Sequence, residues 1–188
     1  MRRASAARRD AIFTALRDLL LAKPWGDITL EAVASDAGVS RQTLYNSFGS
    51  RYGLAQAYTL ALADALCDLI AATLEEHRDD RRAGLEAGLR TYLEVAATDP
   101  LIQRVRAGDA HPDLVQLVTA DSATLLTHVG TRLEAALRTS WPDVDATQRR
   151  TLARTVARLA VSFVPLPPEY DDSPAAIATG LSSLLAPH

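Results

Sequence analysis

Residues 30–48 read LEAVASDAGVSRQTLYNSF, and no other stretch of the chain confines the backbone so tightly. The run fits two short helices joined by a turn of roughly three or four residues. Where the helices cross steeply they need a small side chain, and Ala34 supplies it. The turn needs a residue free to take positive φ, and Gly38 supplies that. Val33, Ala37, Val39 and Leu44 then fall inside the angle between the helices, which leaves Arg41, Gln42, Thr43, Tyr45 and Asn46 outside it. This is the residue pattern of a helix-turn-helix, and its outer polar face suits a second helix that meets base edges and phosphates in the major groove.

The remaining punctuation spells more helices and no strand. Ser5 is expected to cap a first helix carrying Ile12, Leu16 and Leu19 on one face, ended by Pro24 and Gly26. Thr29, Ser40 and Ser50 are expected caps of the next three, the last running from Arg51 to about Glu76. Further amphipathic segments cover 80–97, 100–107, 112–139, 145–164 and 174–185, broken by Asp99-Pro100, Gly108, Trp141-Pro142 and the Pro165/Pro167/Pro168 cluster. The expectation is an all-α fold of about nine helices, with a three-helix domain over 1–50 and a larger helical domain over 51–188. Composition agrees, since 34 of 188 residues are alanine and only 5% are aromatic.

Charge divides the chain as the motif does. Residues 1–58 hold eight Lys/Arg and five Asp/Glu, net +3, and residues 59–188 hold twelve and eighteen, net −6. A basic head on an acidic body points the head at an anionic partner. Arg2, Arg3, Arg8 and Arg9 extend that charge as an N-terminal arm suited to a minor groove. The single cysteine, Cys67, excludes an intramolecular disulfide and a multi-cysteine metal cluster, and fits a reducing cytoplasm. It shares a face with Ala63, Ile70 and Leu74 and reads as a small buried hydrophobe. No metal and no cofactor are expected. His77, His111, His128 and His188 lack the Glu three residues earlier that helical-bundle metalloenzymes use, and phosphate-loop and dinucleotide fingerprints are absent, so catalysis is not expected. No uninterrupted apolar run of the roughly 18 residues needed to span a bilayer occurs, and no membrane partner is expected.

The run TLEAVASDAGVSRQTLYNSFGSRYGL, residues 29–54, closely resembles the DNA-binding signature of the TetR family of transcriptional regulators, with its Ala-Gly-Val-Ser turn, Thr-Leu-Tyr helix and Phe-Gly-Ser-basic start to the next helix. The resemblance implies a homodimer, most simply a repressor released from a palindromic double-stranded DNA operator by a small-molecule effector. It also implies that Thr29 and Tyr45 hold phosphates and that Arg41, Gln42, Thr43 and Asn46 face bases or nearby backbone, with Ser40 opening the same helix. Arg51, where the family usually has Lys, would hold a further phosphate. Glu31 points an acid at the same partner.

In the larger section, Leu114, Val118, Asp121, Leu125, His128 and Arg132 recur at steps of three and four, so Asp121 and His128 lie along an apolar stripe. Tyr92 does the same behind Leu85 and Leu89, and Tyr58, Leu62, Leu66, Leu69 and Thr73 form a wall on the fourth helix. Tyr58, Leu62, Leu66, Tyr92, Asp121, Leu125 and His128 are the candidate contacts to an apolar or amphipathic effector, with core packing the competing reading. Val156 and Phe163, then Ile177 and Leu181, are the candidate dimer contacts; Leu152, Leu159 and Leu184 share their faces. The rival class is a helical ligand-binding or scaffolding dimer that does not touch DNA, which the polar outer face of residues 41–46 argues against.

Overall fold

A computed structural model describes residues 2–108, 111–119, 121–167 and 173–182, with the side chains of residues 2–4, 118 and 182 outside the description. Arg2, Arg3, Val118 and Leu184 from the sequence reading fall on those undescribed side chains or residues. The described chain is all-α: α1 (Arg2–Ala22), a 3-10 turn (Trp25–Asp27), α2 (Leu30–Asp36), α3 (Arg41–Phe48), α4 (Arg51–Glu76), α5 (Arg81–Thr98), α6 (Pro100–Arg106), α7 (Pro112–Val118), α8 (Ser122–Ser140), α9 (Ala146–Ser162) and α10 (Pro174–Ser182).

The caps read from the sequence are formed. Thr29 accepts from the Ala32 amide, Ser40 from Thr43 and Ser50 from Gly53. Each satisfies one otherwise orphaned donor at a helix start. Gly38 sits at φ 65° in the α2–α3 turn, where a side chain would be strained. Gly53 is held by packing: a Cβ there would come within 2.0 Å of the Phe48 carbonyl oxygen.

Two boundaries differ from the sequence reading. The first helix starts at Arg2, so Arg8 and Arg9 belong to it and Arg9 lies over the Phe13 ring at 5.1 Å. Ser5 is inside that helix. The segment 112–139 is two helices, because Thr119 leaves helical geometry at φ −119°, ψ −90°. At the break the Thr119 hydroxyl donates to the Val115 carbonyl and Ser122 donates to the Thr119 carbonyl. The stripe joining Leu114 to Asp121 and His128 is therefore cut.

The head core gathers Ile12, Leu16 and Leu20 of α1, Trp25, Ile28, Val33, Leu44, and Leu54, Ala55 and Tyr58 of α4. Leu101, Leu114 and Leu117 from α6 and α7 join the same cluster, so apolar packing continues from the head into the larger section. Trp25 is fully buried in the turn that links α1 to α2; truncating such a residue costs about 3–5 kcal/mol. α4 alone among the described helices is long and apolar enough to cross a bilayer by length and composition. Here it is the central strut, packed on α5 and α8, with Asp64 and Asp68 paired to His128 and Arg132 of α8.

Candidate nucleic-acid interface and ligand cavity

α3 presents Arg41, Gln42, Tyr45 and Asn46 as exposed residues and leaves Thr43 half-buried beside the cap, while Leu44 anchors the helix in the core. The outer face is tied together before any partner arrives. Gln42 donates to Asn46 at 2.8 Å, Ser40 and Thr43 hydroxyls meet at 2.8 Å, and Arg41 lies over the Tyr45 ring at 5.4 Å. Arg41 also pairs with Glu31 of α2. The Tyr45 hydroxyl, and after it the Glu31 charge, push the Arg41 pKa above its ordinary value. Thr29 is exposed at the start of α2. Thr29 and Ser40 at the helix starts and Arg41, Gln42, Tyr45 and Asn46 on α3 are thus exposed polar residues, with Arg41 already paired to Glu31.

Arg51 faces inward. Its Nη1 donates to the carbonyls of Trp25, Gly26 and Ile28 at 3.1–3.2 Å, Nη2 reaches His111 Nε2 at 2.8 Å and Asp113 at 3.3 Å, and the guanidinium lies 5.1 Å from the Trp25 ring. Asp113 also accepts from the Trp25 indole at 3.0 Å. Only a planar guanidinium has donors enough, in a fixed fork, to serve so many acceptors at once, which gives the Arg in place of Lys a structural reason. Sequence reasoning missed Trp25, His111 and Asp113 because they lie 88 positions or fewer apart in sequence with no local signal; an aromatic set between Pro24 and Gly26 was the one available hint.

Behind the head, α4 to α9 enclose a cavity of about 140 Å³ whose wall is almost wholly carbon. Leu62, Leu66, Tyr92 and Leu125 line it, as the sequence suggested. Tyr58, Asp121 and His128 do not. The Tyr58 hydroxyl donates to buried Asp99 at 2.7 Å, and burial followed by that negative charge pushes its pKa up. Asp99 is 1% exposed and also caps α6 through the Leu101 and Ile102 amides. Asp121 accepts from Tyr52 and Gln56 on α4, and His128 meets Asp64 at 2.7 Å on the outer seam between α4 and α8. Polar groups on the wall are engaged: Thr59 donates to the Ala55 carbonyl and Tyr92 to the Ala160 carbonyl. Burial pushes the Cys67 thiol up to about 11 and the Tyr92 hydroxyl up to about 12.

Of the four candidate dimer residues, Leu181 is buried and Val156, Phe163 and Ile177 are half-buried. Val156 lines the cavity, Phe163 packs with Leu66 and Tyr92, Ile177 packs on the distal core, and Leu181 is 8% exposed within it. Outward from these helices stand Arg154, Arg158 and Ser162, with Ala176 and Gly180.

Comparison with known proteins places this geometry. The family described as bacterial regulatory proteins, tetR family, matches residues 12–58, and the bacterial tetracyclin repressor C-terminal domain matches residues 80–187. The HTH-type transcriptional regulator AlkX of Mycobacterium tuberculosis is 42% identical over 182 residues, 97% of this chain and 85% of the relative. The crystal structure of the TetR-family repressor AlkX from a Dietzia species, a protein implicated in biodegradation of n-alkanes, superposes with a TM-score of 0.79 at 36% identity, covering 94% of this chain and 91% of that one. The fatty acid degradation regulator FadR of Bacillus halodurans shares the fold at a TM-score of 0.52 and 16% identity, covering 95% and 94%. The matched families are regulators and not enzymes. The helix-turn-helix head, the helical body behind it and these matches together make the chain a member of the TetR family of bacterial transcriptional regulators.

Proposed function

We propose that this regulator is a homodimeric repressor that holds a near-palindromic operator and lets it go when a long aliphatic molecule fills its cavity. One observation carries the reading: α4 contributes Leu54, Ala55 and Tyr58 to the head core and then Thr59 to Leu74 to the cavity wall, so one rigid helix belongs to both. Displacing it alters the separation of two recognition helices, which must enter grooves about 34–36 Å apart. Arg41, Gln42, Thr43, Tyr45 and Asn46 read or hold the DNA, with Thr29 and Ser40 at the helix starts beside it. The dimer contact is assigned to α9 and α10, whose Val156, Phe163 and Ile177 are only half-buried within one protomer. The carbon wall, together with the n-alkane role of the Dietzia relative, supports an aliphatic effector.

The test is fluorescence anisotropy on the DNA upstream of the chain's own gene. Binding should be two protomers per site, should weaken steeply with salt as phosphate contacts are screened, and should be reversed by aliphatic compounds. Linkage requires operator DNA to weaken effector binding by the same factor as effector weakens DNA binding. Binding to no promoter fragment would leave the helical dimer without DNA as the better account.

A further inference from the structure

We propose that Glu31 is a specificity-determining residue: by pairing with Arg41 it turns the one charge of the recognition helix from a holder of phosphates into a reader of a G·C base pair in each operator half-site. The proposal rests on the reading of α3 as the helix that enters the major groove, and adds what that helix selects. Arg41 is the sole charged residue of α3. Phosphates line every sequence alike, so an unpaired arginine at this place would strengthen binding to any DNA. Here its charge is offset by the Glu31 carboxylate in the first turn of α2. Arg51, the next cation of the motif, is engaged inside the head by backbone carbonyls and Asp113. A surface that worked by attraction alone would not set an acid beside the only cation of its reading helix.

With the charge offset, direction remains. Arg41 donates through Nη1 to Glu31 and through Nη2 to the Tyr45 hydroxyl at 3.4 Å, with the guanidinium 5.4 Å from the Tyr45 ring. Groups on α2 and α3 thus hold the fork from two sides before DNA arrives, which removes part of the ordering cost of binding. A guanidinium carries more N–H donors than Glu31 and Tyr45 occupy, so the others stay available to a new acceptor. Guanine offers O6 and N7 to such a fork, where adenine offers it only N7. Cytosine, the partner of that guanine, offers an N4 amino group that a carboxylate accepts. The Arg41–Glu31 couple therefore presents donors and an acceptor side by side, which matches the edge of a G·C pair. A phosphate approaching the same couple meets the donors and a like charge together, and gains little.

The test begins with selection from a random-sequence duplex library, followed by anisotropy on the selected site and on a scrambled duplex of equal length. Wild type should select a palindrome with a fixed G·C pair at one position of each half-site. Glu31→Gln and Arg41→Ala should both relax that position and keep the others. Glu31→Gln should tighten binding to the scrambled duplex more than to the selected site, lowering the ratio of the two affinities by at least about fivefold per half-site, the low end for one bidentate base contact. Its salt slope on the scrambled duplex should steepen by about 0.9 per protomer as the freed Arg41 takes a phosphate. In an Arg41→Ala background, Glu31→Gln should leave the ratio where it was. The two side chains are 59% and 57% exposed, so each variant should keep the wild-type melting temperature. An unchanged ratio, an equal effect with and without Arg41, or a position relaxed by Arg41→Ala and kept by Glu31→Gln overturns the role of Glu31 while α3 remains the reading helix. Should wild type select no sequence from the library, the assignment of α3 to DNA fails and the role of Glu31 with it.

Discussion

Replacing Arg51 with Gln tests whether this residue braces the head or grips the operator. The wild-type guanidinium serves three backbone carbonyls and two side chains while lying over Trp25, and it is 26% exposed. A hydrogen bond from a charged donor contributes about 1.5–3 kcal/mol when buried. Gln keeps one carbonyl contact and loses the rest, and partial exposure discounts what is lost, so we expect a destabilisation of about 3 kcal/mol. For a chain of this length each kcal/mol lowers Tm by about 2–4 °C, giving a drop of about 6–12 °C by calorimetry. DNA binding supplies the second readout. A phosphate contact at Arg51 would reduce the slope of log K against log salt by about 0.9 per protomer on its removal, whereas an internal brace leaves the slope unchanged. A Tm within about 2 °C of wild type, combined with a slope reduced by close to two charges per dimer, would refute the inward assignment.

Four further outcomes are expected. Glu31→Gln frees Arg41 and removes an acid from the recognition surface; since an exposed ion pair is worth about 0.2–1 kcal/mol and the dimer has two, operator affinity should tighten by up to about thirtyfold per dimer, measured by anisotropy at fixed salt. Tyr58→Phe removes a donor from the buried Asp99 carboxylate and should destabilise by about 1.5–3 kcal/mol in urea titration, with Tyr58→Phe/Asp99→Asn less than additive. Cys67 has its folded pKa pushed from 9.0 up to about 11, so the unfolded chain loses the thiol proton first and stability falls as pH rises from 9 to 11; Cys67→Ala should flatten that limb in melts taken across the range. Leu181→Asp should unfold the larger section, seen as lost helicity by circular dichroism; a well-folded monomer in sedimentation would instead restore Leu181 to the dimer contact.

Local chemistry was legible in the chain and long-range pairing was not. Thr29, Ser40 and Ser50 announce helix starts because each bonds an amide three residues on, and Gly38 announces a turn because its φ is positive. Leu62, Leu66, Tyr92 and Leu125 were found because an apolar stripe faces a core or a cavity alike. The same ambiguity holds at Val156 and Leu181, which pack within their own chain. Tyr58 meets Asp99 across 41 positions and Arg51 meets His111 across 60, and nothing in periodicity encodes such partners. The break near Thr119 was invisible because no Gly or Pro marks it.

The apolar packing that runs from Trp25 through Leu54 to Leu101, Leu114 and Leu117 sets how this protein can be recombined. A head excised at residue 50 would expose Leu16, Leu44 and Ile28 where α4, α6 and α7 now cover them, and would lose the Arg51 and Asp113 that hold Trp25 in place. A chimera that grafts a foreign operator preference onto this body therefore has to exchange the outer face of α3 alone, residue by residue, because the seam between the head and the helical body is not a place where the chain can be cut.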